Sequence, residues 1–269
     1  MVNKFLFETI LKEGQKLGIP ADKKRAIIRE YLQSKILFEL YNKSGSQNLS
    51  LIGGTGLRIL RGLDRFSEDL DFDNLGLSFK KIKKYLEEIV KSFERENYKI
   101  EFDFKRTNDS GIGDLKFLNL LFPLGITKHK EEKLNIKINY TTPKIKPETE
   151  ILILSRFGFV QAIVTNTEDF LLAQKVRAAL TRKDVQPRDF YDIVWLLSRG
   201  ASPDKKLFPE LKVKSEKELF EKLKKVYNKK LAPYLKEYQK RLAPFLISPD
   251  RARYLKIFGQ LMKTKISQA

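Results

Sequence analysis

Cysteine is absent from this chain of 269 residues, and its absence excludes several kinds of site. Without thiols there is no disulfide, no cysteine-ligated zinc site and no thiol nucleophile, and the chain suits a reducing compartment. The sole histidine, His129, lies between two lysines in a segment that the sequence indicates is a loop. Because no partner group lies near it in sequence, we expect no catalytic role for His129.

Long apolar runs are also missing. No segment approaches the roughly 20 apolar residues that a membrane helix needs, and the first ten residues lack the apolar core and cleavage site of a signal peptide. We therefore expect no membrane partner and a cytoplasmic location. Hydrophobic residues make up 42% of the chain, which is typical of a folded globular protein.

Acidic residues are outnumbered, since 53 lysines and arginines stand against 34 aspartates and glutamates, a formal net charge of +19. Such an excess attracts polyanions, because phosphate neutralisation releases counterions. The charge therefore favours a nucleic acid partner, although a lysine-rich solvated surface is the alternative. The same choice applies to the lysines that cluster in the C-terminal part: Lys222, Lys224, Lys225, Lys229, Lys230 and Lys236.

Hydrophobic periodicity predicts an α+β front and a helical rear, with the boundary near Thr165. We expect one domain over residues 1–165 and a second over residues 166–269. Among the predicted elements are a strand over Leu115–Phe122 and C-terminal helices over Pro233–Phe245 and Pro249–Lys263.

The stretch from Leu51 to Asp73 carries the most informative motif. Gly53 and Gly54 follow a predicted strand and precede a short helix, where backbone amides approach phosphate oxygens closely. Thr55 adds a hydroxyl donor. Asp69 and Asp71 lie two residues apart on a second predicted strand, so their carboxylates share a face. Two such oxygen ligands suit Mg²⁺ or Mn²⁺ bridging a triphosphate.

These motifs, with others further along the chain, resemble the AbiEii-type nucleotidyltransferase toxins. That family includes MenT-like toxins and belongs to the polymerase-β-like nucleotidyltransferase superfamily. The resemblance rests on Gly53-Gly54-Thr55, Arg65-x-Ser67-x-Asp69-Leu70-Asp71-Phe72, the helix Leu171–Leu180 around Lys175, and Arg188-Asp189-Phe190-Tyr191-Asp192. It implies a mixed-sheet α/β core followed by a helical C-terminal domain that completes the active site.

The resemblance also implies residue roles. The metal ligands would be Asp69 and Asp71, and the further catalytic residues would be Lys175, which contacts the triphosphate, and Asp192. The nucleotide-binding residues would be Gly53, Gly54, Thr55, Arg65, Ser67 and Lys137. One departure from the family pattern is Asn139, which occupies the place of the superfamily's third carboxylate. The third acid is therefore either Asp192 or Asp73, or the site has no third acid.

The predicted reaction is metal-dependent nucleotidyl transfer from an NTP to the 3′ end of tRNA, with release of pyrophosphate. As a member of a toxin–antitoxin system, the chain would have a cognate antitoxin. Two alternatives remain open: transfer to a protein hydroxyl or a small molecule, and a nucleic-acid-binding module without catalysis.

Overall fold

A computed structural model describes residues 3–268, which form two compact units. The first comprises the residues up to Gly62 together with Phe66–Thr165. The second comprises Leu63–Arg65 and the residues from Asn166 onward. Residues 1, 2 and 269, at the outer ends of the two expected domains, lie outside the described range.

A seven-stranded mixed sheet forms the first unit's framework, in the order β3-β4-β5-β2-β1-β7-β6. β2 lies between β1, its antiparallel neighbour, and β5, its parallel neighbour. The strands are β1 (Leu49–Ile52), β2 (Leu70–Asn74), β3 (Lys99–Arg106), β4 (Ser110–Leu118), β5 (Leu134–Thr141), β6 (Thr149–Arg156) and β7 (Phe159–Asn166). The expected mixed α/β fold is confirmed.

The α-helices among the described residues of this unit are α1 (Lys4–Lys16), α2 (Lys24–Tyr41), α3 (Gly53–Arg61) and α4 (Phe79–Arg95). Ser78 caps α4 by accepting a hydrogen bond from the Lys81 backbone N–H at 3.2 Å. The apolar stripe of α4 covers one face of the sheet, where Phe93 contacts Phe117 with ring centroids 5.3 Å apart. Because residues alternate along a strand, Leu70 and Phe72 point to this covered face and Asp71 points to the other.

The predicted strand over Leu115–Phe122 is wrong in position, since β4 runs from Ser110 to Leu118. The strand begins earlier than predicted, at a segment whose glycines are needed for packing. A Cβ on Gly111 would lie 2.6 Å from Tyr140 Cε2, and one on Gly113 would lie 2.5 Å from Leu86 Cδ1. Only glycine lets this strand pass so close to its neighbours.

The second unit is helical, with α5 (Glu168–Thr181), α6 (Pro187–Ser198), α7 (Phe208–Leu211), α8 (Glu216–Val226), α9 (Leu235–Leu242) and α10 (Tyr254–Gln268). Its core centres on α6, where the Phe190 ring lies 5.0 Å from Phe258 and 6.2 Å from Tyr227, centroid to centroid. No helix within residues 3–268 is long and apolar enough to cross a membrane.

The helices predicted from Pro233 and from Pro249 are wrong at their N-terminal ends. Short 3₁₀ turns occupy Ala232–Tyr234 and Pro249–Arg253, and α9 and α10 begin only after them. Proline fits the first turn of either helix type, so its position did not distinguish a 3₁₀ turn from an α-helix. A third 3₁₀ turn, Ala243–Phe245, ends the segment predicted to stay helical.

Candidate active site

The glycine turn lies directly against Asp71. Ile52, the last residue of β1, pairs with Asp71 across the ladder, and Gly53 follows with φ of +72°. A Cβ on Gly53 would lie 2.5 Å from Asp71 Oδ2, so this position needs glycine both for its conformation and for space. The first N–H groups of α3, which have no partner within the helix, therefore begin beside a carboxylate.

Thr55 ties the same turn to the loop that precedes β2. Its side chain is buried, with 1% exposure, and its hydroxyl donates a hydrogen bond to the Asp69 carbonyl. The structure thus gives this hydroxyl a protein partner, whereas the sequence suggested a phosphate.

The aspartates fall on and beside β2. Asp69 immediately precedes the strand, one residue short of the prediction, and Asp71 is its second residue. Asp73 shares the face of Asp71 by alternation but is buried, with 4% exposure. The motif therefore presents Asp71 on the face of the sheet opposite α4.

Asn139 on β5 lies beside Asp71 in the parallel register, and its Nδ2 donates a hydrogen bond to Asp71 Oδ1 at 2.9 Å. Lys137 lies two residues earlier on the same face, exposed and opposite Asp114 of β4. The structure thus brings Asp71, Asn139 and Lys137 onto one sheet face, and the amide at the third-carboxylate place orients Asp71.

The donor set at this face fits a hard divalent cation. Within residues 3–268, no group of three or more histidine, cysteine, aspartate or glutamate side chains is arranged to enclose a metal ion. Mg²⁺, however, is usually bound through one or two carboxylates together with substrate phosphates and water. Asp71 on this face, and Asp69 just before the strand, would be the carboxylates available to a metal carried in with a nucleotide.

Three further predicted residues meet inside the second unit. Arg65 Nε and Nη2 donate to the two carboxylate oxygens of Asp192, both at 2.6 Å. Lys175 Nζ of α5 lies 2.8 Å from Asp192 Oδ2. Asp192 is fully buried, so its two oxygens are engaged by a bidentate guanidinium and an ammonium.

Two buried aspartates of α6 differ in their electrostatics. Burial alone would raise the pKa of Asp192, but the charges of Arg65 and Lys175 outweigh it and hold that pKa below its usual range. For Asp189, burial raises the pKa, and Lys175 and Arg182 only partly offset it. Asp192 is therefore held as an anion that binds two cations, whereas the cations around Asp189 do not offset its burial.

The loop between α3 and β2 is held by residues that the sequence did not single out. In the first unit, Gln33 Nε2 of α2 donates to the carbonyls of Ser67 and Glu68 at 3.1 and 3.0 Å. In the second unit, Asp64 Oδ1 accepts a hydrogen bond from the Tyr191 hydroxyl at 2.7 Å and Oδ2 pairs with Arg251. A glutamine on the buried side of an amphipathic helix was the one sequence feature that could have indicated Gln33. No sequence pattern indicated Asp64.

Comparison with known proteins identifies the family of the chain. The family model described as "Nucleotidyl transferase AbiEii toxin, Type IV TA system" matches residues 35–257. The chain belongs to the AbiEii family of nucleotidyltransferase toxins. Membership makes it a nucleotidyltransferase of a toxin–antitoxin family, which implies an NTP substrate and an antitoxin, and such enzymes generally use divalent metal ions.

Solved structures share the fold of this AbiEii chain. JHP933 from Helicobacter pylori superposes with a TM-score of 0.53 at 19% identity, covering 91% of this chain and 94% of that one. MenT4, a nucleotidyltransferase toxin from Mycobacterium tuberculosis H37Rv, also has a TM-score of 0.53, at 14% identity, covering 100% and 99% of the two chains. A search of curated proteins by sequence found no match.

Proposed function

We propose that this AbiEii-type enzyme transfers a nucleotidyl group from an NTP to the 3′ end of tRNA or a related RNA, releasing pyrophosphate. The observation that carries the proposal is the contact between the Gly53 turn and Asp71, where a Cβ would lie 2.5 Å from the carboxylate. A helix N-terminus, which binds phosphate, thereby adjoins an oxygen ligand, which binds metal.

Asp69 and Asp71 would hold Mg²⁺ or Mn²⁺, and the metal would neutralise charge on the triphosphate when bound. Gly53 and Gly54 would contact phosphate oxygens through backbone N–H groups. Asn139 donates to Asp71 and has no basic group near neutral pH, so it orients the carboxylate and takes no proton from the acceptor hydroxyl.

Lys175 would contact the triphosphate. An ammonium group has three N–H donors, and Asp192 at 2.8 Å engages one of them. The remaining donors can bind phosphate oxygens while Asp192 limits the movement of the side chain. On this proposal Asp192 positions Lys175 and Arg65, and it is not a metal ligand.

The RNA acceptor is supported by charge. A formal net charge of +19 attracts a polyanion over long distances, which a small acceptor does not require. Modification of the 3′ end would block aminoacylation and arrest growth, and a cognate antitoxin would counter it.

The test is incubation with each labelled NTP and Mg²⁺ in the presence of bulk tRNA, total protein or an aminoglycoside. We expect pyrophosphate release and label at RNA 3′ ends, both abolished by EDTA and by Asp71→Ala. Asp103→Ala is the matched control, because Asp103 lies on exposed β3 of the same sheet. Label confined to protein or to the drug would contradict the RNA acceptor, and metal-independent transfer would contradict the role of the aspartates.

A further inference from the structure

A groove of about 400 Å³ lies on the second unit, between α9 and the 3₁₀ turn Pro249–Arg253, and it is open to solvent. Its base is held by a hydrogen bond from Gln239 Nε2 to the Ala252 carbonyl at 3.3 Å. None of its lining residues belongs to the nucleotidyl-transfer motifs.

Three cations line this groove. Lys236 and Lys240 lie one turn apart on α9, so they project from the same side of the helix, and Arg253 comes from the opposite wall. The lining contains one acid, Asp250. Within the described part of the chain, none of these three cations takes part in an ion pair, whereas lysines elsewhere do, such as Lys133 with Glu101 at 2.9 Å. The one carboxylate of the lining therefore offsets only part of the positive charge of the groove.

The surrounding segment has the same character. From Asn228 to Lys256 there are eight basic residues and two acidic ones. Tyr234, which directly precedes α9, is 59% exposed. An open basic groove suits a nucleic acid strand, because cations neutralise its phosphates. An exposed aromatic side chain on the same segment offers a face on which a base can stack.

We propose that the groove formed by Lys236, Lys240 and Arg253 binds the phosphodiester backbone of the RNA acceptor. This inference rests on the proposed function, since it assigns a binding surface to the acceptor. It places part of the RNA affinity in the helical unit, on residues outside the nucleotidyl-transfer motifs.

The test compares two triple variants of equal charge change. One replaces Lys236, Lys240 and Arg253 by glutamine, and the other replaces Lys80, Lys84 and Lys91, which are exposed on α4. Binding of bulk tRNA is measured by fluorescence anisotropy from low to high salt. We expect the groove variant to bind tRNA at least about tenfold more weakly at low salt. The slope of log binding constant against log salt concentration should fall in magnitude by about 2, since each lost phosphate contact reduces the number of released counterions by close to one. The α4 variant should bind like the wild type.

Further measurements distinguish failure of the groove proposal from failure of the proposed function. Lys236→Arg with Lys240→Arg keeps the charge and should retain binding, and thermal melting checks that the glutamine variant is folded. Pyrophosphate release at subsaturating tRNA should fall in the groove variant and stay at the wild-type level in the α4 variant. Equal tRNA binding by the groove and α4 variants overturns the groove proposal while leaving RNA transfer intact. Wild-type protein that neither binds nor modifies tRNA overturns the proposed function itself. Preference for linear duplex DNA of equal length over tRNA contradicts the assignment to RNA.

Discussion

At the residue scale, the pair formed by Asn139 and Asp71 distinguishes this site from one with three acids. The Asn139 amide donates to Asp71 Oδ1 at 2.9 Å, which a carboxylate in its place could not do without a proton. A carboxylate in the place of Asn139 would repel Asp71 unless a cation lay between them.

We therefore predict that Asn139→Asp lowers the stability of the metal-free protein by roughly 1 to 3 kcal/mol, from repulsion at close range. Added Mg²⁺ should restore much of the loss. Asn135→Asp is the matched control, because Asn135 lies on the same strand and face but opposite Lys116. The measurement is thermal melting in EDTA and in Mg²⁺. Equal destabilisation of the two variants, with no response to Mg²⁺, would contradict a metal site beside Asp71.

The two buried aspartates of α6 give a second matched pair. Asp192→Asn should lower the free energy of unfolding by about 3 kcal/mol, because it leaves Arg65 buried without a full counter-charge. Asp189→Asn should lower the free energy of unfolding by less than about 1 kcal/mol, because its partner Arg182 is partly exposed and water can solvate the guanidinium instead. Urea unfolding at neutral pH measures both, and equal losses would contradict this distinction.

The sign of the pH dependence follows from the two pKa directions. The pKa of Asp192 is lowered on folding, so its stabilisation is complete above the unfolded value of about 3.9 and is lost as the pH falls through the lower folded value. The pKa of Asp189 is raised, so its contribution is favourable in acid and is lost as the pH rises through the folded value. The difference in the free energy of unfolding between the wild type and Asp192→Asn should therefore become smaller as the pH falls.

At the element scale, the connection from β1 to α3 depends on a left-handed glycine. We predict that Gly53→Ala lowers the free energy of unfolding by more than the roughly 1 to 2 kcal/mol that left-handed strain alone would cost. The added Cβ also meets Asp71 Oδ2 at 2.5 Å. Gly62→Ala has a similar φ of +79° and no atom within 4 Å of its Cβ, so it should show the strain alone. Denaturant unfolding and nucleotidyl transfer measure the difference. A Gly53→Ala enzyme as stable and active as Gly62→Ala would contradict the close approach.

Elements with a one-sided apolar pattern were predictable from sequence. The spacing of Ile82, Leu86 and Phe93 predicted α4, and the alternation of Leu70 and Phe72 predicted β2, because each element buries a single face. The start of β4 was not predictable. Gly111 and Gly113 carry no hydrophobic pattern, and their place in a strand is set by Tyr140 and Leu86, which are distant in sequence.

At the scale of the whole molecule, the charge of +19 predicts strong salt dependence for RNA binding. Raising the salt from about 50 to about 200 mM should weaken tRNA binding at least about a hundredfold if several phosphates are neutralised. Transfer to a short oligoribonucleotide should be less sensitive, since it neutralises fewer phosphates. Titrations at several salt concentrations measure both, and tRNA binding that is insensitive to salt would favour a protein or small-molecule acceptor.

The division into units was only partly visible in the sequence. The change from strand-like to helical patterns near Thr165 was apparent, but the assignment of Leu63–Arg65 to the helical unit was not. That assignment depends on bonds such as Asp64 to Tyr191, in which the partners are 127 residues apart. Local periodicity carries no information about such pairs.

The sequence by itself determined the mixed α/β character, the glycine turn followed by paired aspartates and the large positive charge, because these follow from local spacing and composition. The tertiary structure decided which groups meet. It brought the Asn139 amide into a hydrogen bond with Asp71 and the Thr55 hydroxyl into a hydrogen bond with a backbone carbonyl. It also paired Asp192 with Arg65 and Lys175. The physical reason is that a side chain's charge state and hydrogen bonds depend on neighbours brought in by folding from distant parts of the chain.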